Sequence, residues 1–251
     1  MFIHHRDSIE IMIKHYRQNP EISALFLIGS VATGLARADS DIDGVAVVPH
    51  NTYIKLKAAG KLEEVEFGKC TYDGGYFNIH YVSREVMQEL DENGSEPMRN
   101  MFCEAKTLFC GEPGLPELAA KIAVYPKKEK EAKQFRFYCM LKMLHTYFWI
   151  SCKPEGFFRR HTANLMVCSL YRLILAENEI LFPSMRKLEE YAAKAPDKPE
   201  GIIKKCENFL NTLTDTDAAD LVKSYEKWTA YNYPKDHDTV MNNFSDPYEW
   251  M

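Results

Sequence analysis

Two short apolar runs in the first part of the chain predict buried strands. Residues 25–28 and residues 45–48 are continuously apolar, and glycine or proline borders each run. Residues 8–17 instead place apolar side chains at the spacing of one helix face, namely at Ile9, Met12, Ile13 and Tyr16. The pattern therefore predicts a helix that packs on a sheet. Three histidines in or near this segment are expected at the surface rather than as ligands: His4, His5 and His15.

The next two strands are predicted to form a hairpin. Residues 65–71 and residues 76–82 flank Asp73-Gly74, a dipeptide typical of tight hairpin turns. A two-residue turn at this dipeptide pairs Lys69 with Asn78. Alternation then assigns side chains to the two faces of the hairpin. Phe67, Lys69 and Thr71 share the face of Asn78 and His80, and Glu64 and Glu66 lie on the opposite face.

The second half of the chain has the pattern of helices throughout. From residue 129 onward, apolar residues recur with helical spacing and predict helices at 129–151, 161–178, 184–193, 202–213 and 218–229. Short connections between these helices favour an antiparallel bundle. The Pro/Gly cluster at residues 111–114 predicts a boundary between domains at 1–114 and 115–251. We expect an α+β fold, in which a small mixed β-sheet with flanking helices precedes a helical bundle domain.

The candidate chemistry lies between the first two predicted strands. Gly29 lets the backbone turn tightly and approach an anion, and Ser30 adds a hydroxyl donor. Asp41 and Asp43 are two positions apart, so a strand places both carboxylates on one face. Neighbouring carboxylates repel unless a cation joins them, and Mg²⁺ takes such oxygen ligands together with substrate phosphates. The two features together predict a site for a metal-bound nucleotide.

These residues resemble a known family signature. Residues 29–43 read Gly-Ser-x-x-x-Gly-x-x-Arg-x-x-Ser-Asp-x-Asp, which is similar to the signature of the DNA polymerase β-type nucleotidyltransferase superfamily. The similarity is greatest to its small bacterial branch, which includes aminoglycoside and lincosamide nucleotidyltransferases. The resemblance implies that Gly29 and Ser30 bind the triphosphate and that Asp41 and Asp43 hold two Mg²⁺ ions. Two further candidates for nucleotide contact lie in the same segment, Arg37 and Ser40.

The resemblance also implies a third carboxylate on a later strand. The matching segment, residues 76–82, has Asn78 at that position. An amide can coordinate a metal through its oxygen, but it brings no negative charge and cannot act as a base. The sequence therefore leaves the general base open. The candidates are Glu66, His80, Glu104 and an acid of the helical domain.

Composition narrows the choice of partners. The net charge of −5 disfavours nucleic acid and anionic lipid, and it suits a small, cationic acceptor. No segment approaches the eighteen apolar residues of a membrane span, so no membrane association is expected. The seven cysteines contain no Cys-x-x-Cys pair, and we expect free thiols in a reducing cytoplasm. The helical domain offers surface for a homodimer.

The expected function is Mg²⁺-dependent nucleotidyl transfer. A nucleoside monophosphate passes from a nucleoside triphosphate, with ATP as the expected one, to a hydroxyl of a small molecule such as an antibiotic, and pyrophosphate is released. Asn78 keeps one alternative open, a nucleotide-binding regulatory protein that has lost catalysis. A second alternative is a protein-modifying nucleotidyltransferase of the toxin–antitoxin type. No motif indicates the acceptor.

Overall fold

The first part of the chain is built on five strands and the helices around them. The structure is a computed structural model and describes residues 1–244. The elements of this part are α1 (Ile3–Arg17), β1 (Ala24–Ile28), α2 (Gly29–Thr33), β2 (Ile42–Val47), α3 (His50–Ala58), β3 (Glu63–Phe67), β4 (Tyr76–Val82), α4 (Arg84–Asn93), α5 (Glu96–Met101), β5 (Lys106–Cys110) and α6 (Leu115–Ile122).

The strands form one mixed sheet in the order β3-β4-β2-β1-β5. β2 and β4 are parallel, and the other neighbouring pairs are antiparallel. One face of the sheet packs on α1 through Met12 and Tyr16. The other face packs on α4 and α6 through Met87 and Leu115. Because β1 and β2 are central and covered on both faces, their sequences are apolar almost throughout.

The hairpin of β3 and β4 has a longer connection than predicted. Val65, rather than Lys69, pairs with Asn78. β3 ends at Phe67, before Gly68, which has a left-handed φ of 73°. Beyond Gly68 the chain leaves the sheet and bonds to α1 through Thr71. The register moves by an even number of residues, so the predicted faces hold for Glu64, Glu66 and Phe67 of β3. The prediction that Lys69 and Thr71 share the face of Asn78 is wrong, because both follow the end of the strand, where Lys69 pairs with Glu66 and Thr71 bonds to α1.

The boundary between the two compact units falls after Val124 rather than after residue 114. The reason is the packing of α6. Its apolar side chains Leu115 and Ile122 are fully buried in the same cluster as Phe26 and Val45 of the sheet. The Pro/Gly cluster at residues 111–114 is therefore a loop within the first unit. Of the predicted second domain, residues 245–251 lie outside the described residues.

The second unit, from Tyr125, is helical over its described length to residue 244 and has no strand there. Its helices are α7 (Lys130–Met143), a π-helical continuation (Leu144–Ser151), α8 (Gly156–Glu177), α9 (Leu188–Lys194), α10 (Ile202–Thr212), α11 (Asp215–Trp228) and α12 (His237–Asn243). The core of this unit includes the buried side chains of Trp149, Leu170 and Phe209. The predicted α+β class, with a helical region after the sheet, is confirmed. The change to a π-helix at Leu144 is a feature that the periodicity did not predict.

Within residues 1–244, no helix has both the length and the apolar character needed to span a membrane.

Candidate functional site

The turn after β1 brings backbone and carboxylate into close packing. Gly29 follows the last residue of β1 and has a φ of 71°, in the left-handed region that glycine adopts without strain. A Cβ built on Gly29 would lie 2.9 Å from Cγ of Asp43 and would overlap its Oδ2. Only glycine therefore allows this carboxylate to lie against the turn. α2 is a single short helix that ends where Gly34 takes a φ of 78° and donates its N–H to the Ser30 carbonyl.

The two aspartates lie at the start of β2, at the centre of the sheet. Asp43 pairs with Ile28 of β1 on one side and with Asn78 of β4 on the other. Asp41 immediately precedes the strand. A hydrogen bond between the Tyr76 side chain and Asp41 raises the pKa of Tyr76, and the charges of Asp41 and Asp43 both raise it further. Both carboxylates therefore lie near one hydroxyl, as the alternation of the strand predicts.

Asn78 completes the row of polar side chains. Its amide oxygen is buried and has no hydrogen-bond partner among the described residues. A buried oxygen without a donor is costly, so such a group points to a partner that the polypeptide does not supply. Within residues 1–244, no group of three or more His, Cys, Asp or Glu side chains is placed to hold a metal ion. What Asp41, Asp43 and Asn78 offer is a set of carboxylate and amide oxygens, the donors that hard divalent cations take.

Comparison with known proteins assigns this part of the chain. Residues 10–95 match the family model described as "Polymerase beta, Nucleotidyltransferase". Residues 10–95 form a polymerase β-type nucleotidyltransferase domain. The match runs from within α1 to just beyond α4, and it contains the Gly29 turn, both aspartates and Asn78.

The comparison with solved structures finds a similarity at low sequence identity. A nucleotidyltransferase-like protein from Exiguobacterium sibiricum 255-15 is similar over 88% of this chain and 73% of its own, with a TM-score of 0.44 and 12% sequence identity. Among curated proteins, the comparison found no match. The assignment of the nucleotidyltransferase domain rests on the family match and on the site within it.

The remaining predicted site residues lie in the loop that leads to Asp41. The Ser40 hydroxyl accepts a hydrogen bond from the Arg37 backbone N–H at 2.9 Å, so it closes a turn within the loop. The Arg37 guanidinium is 81% exposed and binds Asp39, with 2.9 Å between Nε and Oδ1. This hydrogen bond lowers the pKa of Asp39. In the nucleotidyltransferase domain as it stands, Ser40 shapes the loop and Arg37 is turned to solvent beside Asp39.

Side chains of α1 and of the connection between β3 and β4 hold the same loop, and the sequence patterns did not reveal them. The Tyr72 hydroxyl donates to the Ser40 carbonyl at 2.5 Å, and a ring nitrogen of His4 lies 2.9 Å from the Ala38 carbonyl oxygen. His5 is fully buried beside them, so the expectation that it lies at the surface is wrong. Burial, with the charge of neighbouring His4, lowers the pKa of His5.

The signal for a buried His5 was present in the sequence. Helix α1 begins at Ile3 rather than near residue 8. Extending the apolar stripe of Ile9, Met12 and Tyr16 back by one turn reaches His5, at the i−4 position from Ile9. The histidine therefore lies on the face of α1 that packs on the rest of the domain.

Three of the four candidates for the general base belong to the first unit, and the structure places them differently. Glu66 lies on the α1 face of the sheet, where it accepts a hydrogen bond from the Tyr16 hydroxyl and pairs with Lys69, so it is on the opposite face from Asn78. Glu104 is exposed in the turn before β5, at the far edge of the sheet beside β1. His80 is two residues from Asn78 on β4, and therefore lies on the same face.

Proposed function

We propose that the protein transfers a nucleoside monophosphate from a nucleoside triphosphate to a hydroxyl group of a small molecule in a Mg²⁺-dependent reaction. The observation that carries this proposal is the row formed by Gly29, Asp43 and Asn78 on three adjacent strand ends, with Asp41 beside it. The partnerless amide oxygen of Asn78 fits a metal ligand, and so do the two carboxylates. The family match supports nucleotidyl transfer in general.

Mg²⁺ would be held by Asp41, Asp43 and the Asn78 amide oxygen, and when bound it neutralises charge on the phosphates. The backbone around Gly29 and the Ser30 hydroxyl receive the β- and γ-phosphates. The acceptor oxygen bonds to the α-phosphorus as the bond from that phosphorus to the bridging oxygen breaks, and pyrophosphate leaves with the electron pair. Holding the two reactants in line supplies most of the catalysis expected of such a site.

The acceptor hydroxyl must lose a proton, and His80 is the residue in this proposal that takes it. Asn78 cannot accept a proton. Glu66 lies on the opposite face of the sheet, and Glu104 precedes β5, which is separated from β4 by β2 and β1. A neutral imidazole is a competent base near neutral pH, and His80 shares the face of Asn78 about 6.6 Å along the strand.

Calorimetric titration tests the binding half of this proposal. A non-hydrolysable ATP analogue is expected to bind only when Mg²⁺ is present. Asp41→Ala and Asp43→Ala are expected to abolish binding, because each removes a charged oxygen ligand. Asp39→Ala is the matched control, since this carboxylate lies in the same loop but is exposed and paired with Arg37. Binding that needs no Mg²⁺, or that survives both site variants, would refute the proposed site.

One observation favours a second function, nucleotide binding without transfer. Asn78 brings no charge where the resembled family has a third carboxylate. The two functions are separated by incubating the protein with labelled triphosphates, Mg²⁺ and a panel of hydroxylated acceptors. Transfer of label supports catalysis. Mg²⁺-dependent binding with no transfer to any acceptor supports the binding protein.

A further inference from the structure

An exposed strip borders the nucleotide site on its outer side. We call the three side chains of β3 that share the Asn78 face the β3 strip: Glu63, Val65 and Phe67. Phe67 is 72% exposed and Val65 is 45% exposed, high values for apolar side chains within a strand. The Phe67 ring lies 5.1 Å from the Tyr76 ring, centroid to centroid. The strip therefore presents an apolar and aromatic surface to solvent.

The register of the sheet places this strip directly beside the proposed metal ligands. Val65 pairs with Asn78, and Asn78 pairs with Asp43. Neighbouring strands are about 4.8 Å apart, so the backbone of Val65 lies about 10 Å from that of Asp43. The Gly29 turn lies on the other side of Asp43, at the end of β1. Across the sheet the order is thus the phosphate turn, the oxygen ligands and then the strip.

In-line transfer determines the side of the site from which the acceptor approaches. The attacking and leaving oxygens lie on opposite sides of the phosphorus. With the leaving pyrophosphate at the Gly29 turn, the attacking hydroxyl approaches from the side of Asn78. A molecule that presents its hydroxyl there has the rest of its body over β4 and β3.

We propose that the β3 strip binds the acceptor and that the acceptor is a hydroxyl-bearing amine with an apolar or aromatic group. This inference rests on the proposed function. Phe67 and Val65 receive the apolar group. The exposed Glu63 carboxylate, paired across the strands with His80, receives the amine. No lysine or arginine occupies the same-face positions of the hairpin, residues 63, 65, 67, 76, 78 and 80, so an anionic group would find no partner on these two strands.

The spacing of the strip sets the length of the acceptor. Glu63 and Phe67 are four residues apart, or about 13 Å along an extended strand. A molecule that reaches both needs its amine and its apolar group about 10 Å apart, since the two side chains extend toward it. A single small ring with a short amine is too short to use both ends.

Matched small-molecule probes test the proposal by ligand-observed NMR. The probes are 6-phenylhexylamine, 6-phenylhexan-1-ol, hexylamine and 6-phenylhexanoate, which vary the amine and the ring one at a time. We expect 6-phenylhexylamine to bind most tightly and the carboxylate most weakly. Phe67→Ser is expected to weaken 6-phenylhexylamine about tenfold, because it removes most of the apolar contact. Glu63→Gln is expected to lower the affinity for 6-phenylhexylamine to that for 6-phenylhexan-1-ol and to leave the affinity for the alcohol unchanged.

The controls separate this inference from its rivals. Ile54→Ser removes a comparably exposed apolar side chain on α3 and should leave probe binding unchanged. Failure of every probe to bind, or binding that Phe67→Ser and Glu63→Gln leave intact, would overturn the inference. A dimer that Phe67→Ser dissociates, with no probe binding, would also overturn it and show that a second copy covers the strip.

Calorimetry with Mg²⁺ and the ATP analogue on the same variants tests the proposed function independently of the acceptor site. Phe67→Ser and Glu63→Gln should retain nucleotide binding. If the wild-type protein binds the probes but no nucleotide, the β3 strip is a binding surface but not an acceptor site, and the proposed function is refuted.

Discussion

Replacing Gly29 by alanine tests the geometry at the centre of the site. Two separate costs are expected. An L-residue in the left-handed region costs about 1–2 kcal/mol, and Gly29 has a φ of 71°. The new methyl group would also meet the Asp43 carboxylate, and such overpacking costs about 1–3 kcal/mol. The local stability of β1 and β2 is therefore expected to fall by about 2–5 kcal/mol, and the carboxylate is expected to move away from the turn.

Gly34→Ala is the matched control for this prediction. Gly34 has a similar φ of 78°, but a Cβ built on it meets no atom within 4 Å. This variant therefore carries the conformational cost of about 1–2 kcal/mol without the contact with Asp43. Hydrogen exchange of peptides from β1 and β2 measures the local free energy of opening in each variant. Calorimetry with Mg²⁺ and the ATP analogue measures binding.

Gly29→Ala is expected to lose nucleotide binding, whereas Gly34→Ala is expected to retain it. Equal nucleotide affinity in the two variants would refute the argument that Gly29 is needed so that Asp43 can lie against the turn. Equal loss of stability would show that the contact with Asp43 contributes nothing beyond the strain of the left-handed backbone.

Three further predictions concern the charge of the site, the pH dependence of the fold and the thiols. Asn78→Asp supplies a third carboxylate, and we expect this variant to transfer nucleotide to an accepted substrate at least tenfold faster than the wild-type protein does. An unchanged or slower rate would contradict the idea that the uncharged Asn78 limits the rate of transfer. Burial alone would raise the pKa of Glu66, but hydrogen bonds from Lys69 and Tyr16 outweigh it and lower that pKa. Glu66 therefore stabilises the fold above its unfolded pKa of about 4.3, and this stabilisation is lost as the pH falls through its lower folded pKa. The free energy of unfolding of Glu66→Gln should therefore depend less steeply on pH over this range than that of the wild-type protein. An identical pH dependence in the two proteins would contradict the prediction. Burial raises the pKa of Cys139 to about 11 and that of Cys206 to about 12, so a thiol reagent followed by mass spectrometry should leave both unmodified in the folded protein. The exposed thiols, expected to react first, are Cys110 and Cys152.

The sequence was sufficient for features that depend on local pattern. The apolar runs at β1 and β2 are buried strands, and the Gly29 turn and the aspartates lie at their adjoining ends, because a short connection between antiparallel neighbours returns the chain to the same edge. The faces of the paired hairpin residues were also predictable, since alternation along a strand survives an even shift of register. Those of Lys69 and Thr71 were not, because the chain leaves the strand after Phe67. Asn78, His80 and the opposite placement of Glu66 follow from that alternation.

Features that depend on tertiary packing were not predictable in this way. The register of β3 is set where Thr71 bonds to α1, a contact between segments far apart in sequence. The unit boundary was misplaced because loop composition at residues 111–114 does not reveal that α6 returns to cover the sheet. His5 was missed because its burial depends on where α1 begins, and helix ends are weakly marked when no capping residue is present.

The most direct test of the account is a crystal structure with Mg²⁺ and a non-hydrolysable nucleoside triphosphate. The account predicts a metal ion coordinated by carboxylate oxygens of Asp41 and Asp43 and by the Asn78 amide oxygen, at the 2.0–2.1 Å typical of Mg²⁺. It also predicts the β- and γ-phosphates against Gly29 and Ser30. A nucleotide bound elsewhere, or a metal ion that leaves Asn78 uncoordinated, would contradict it.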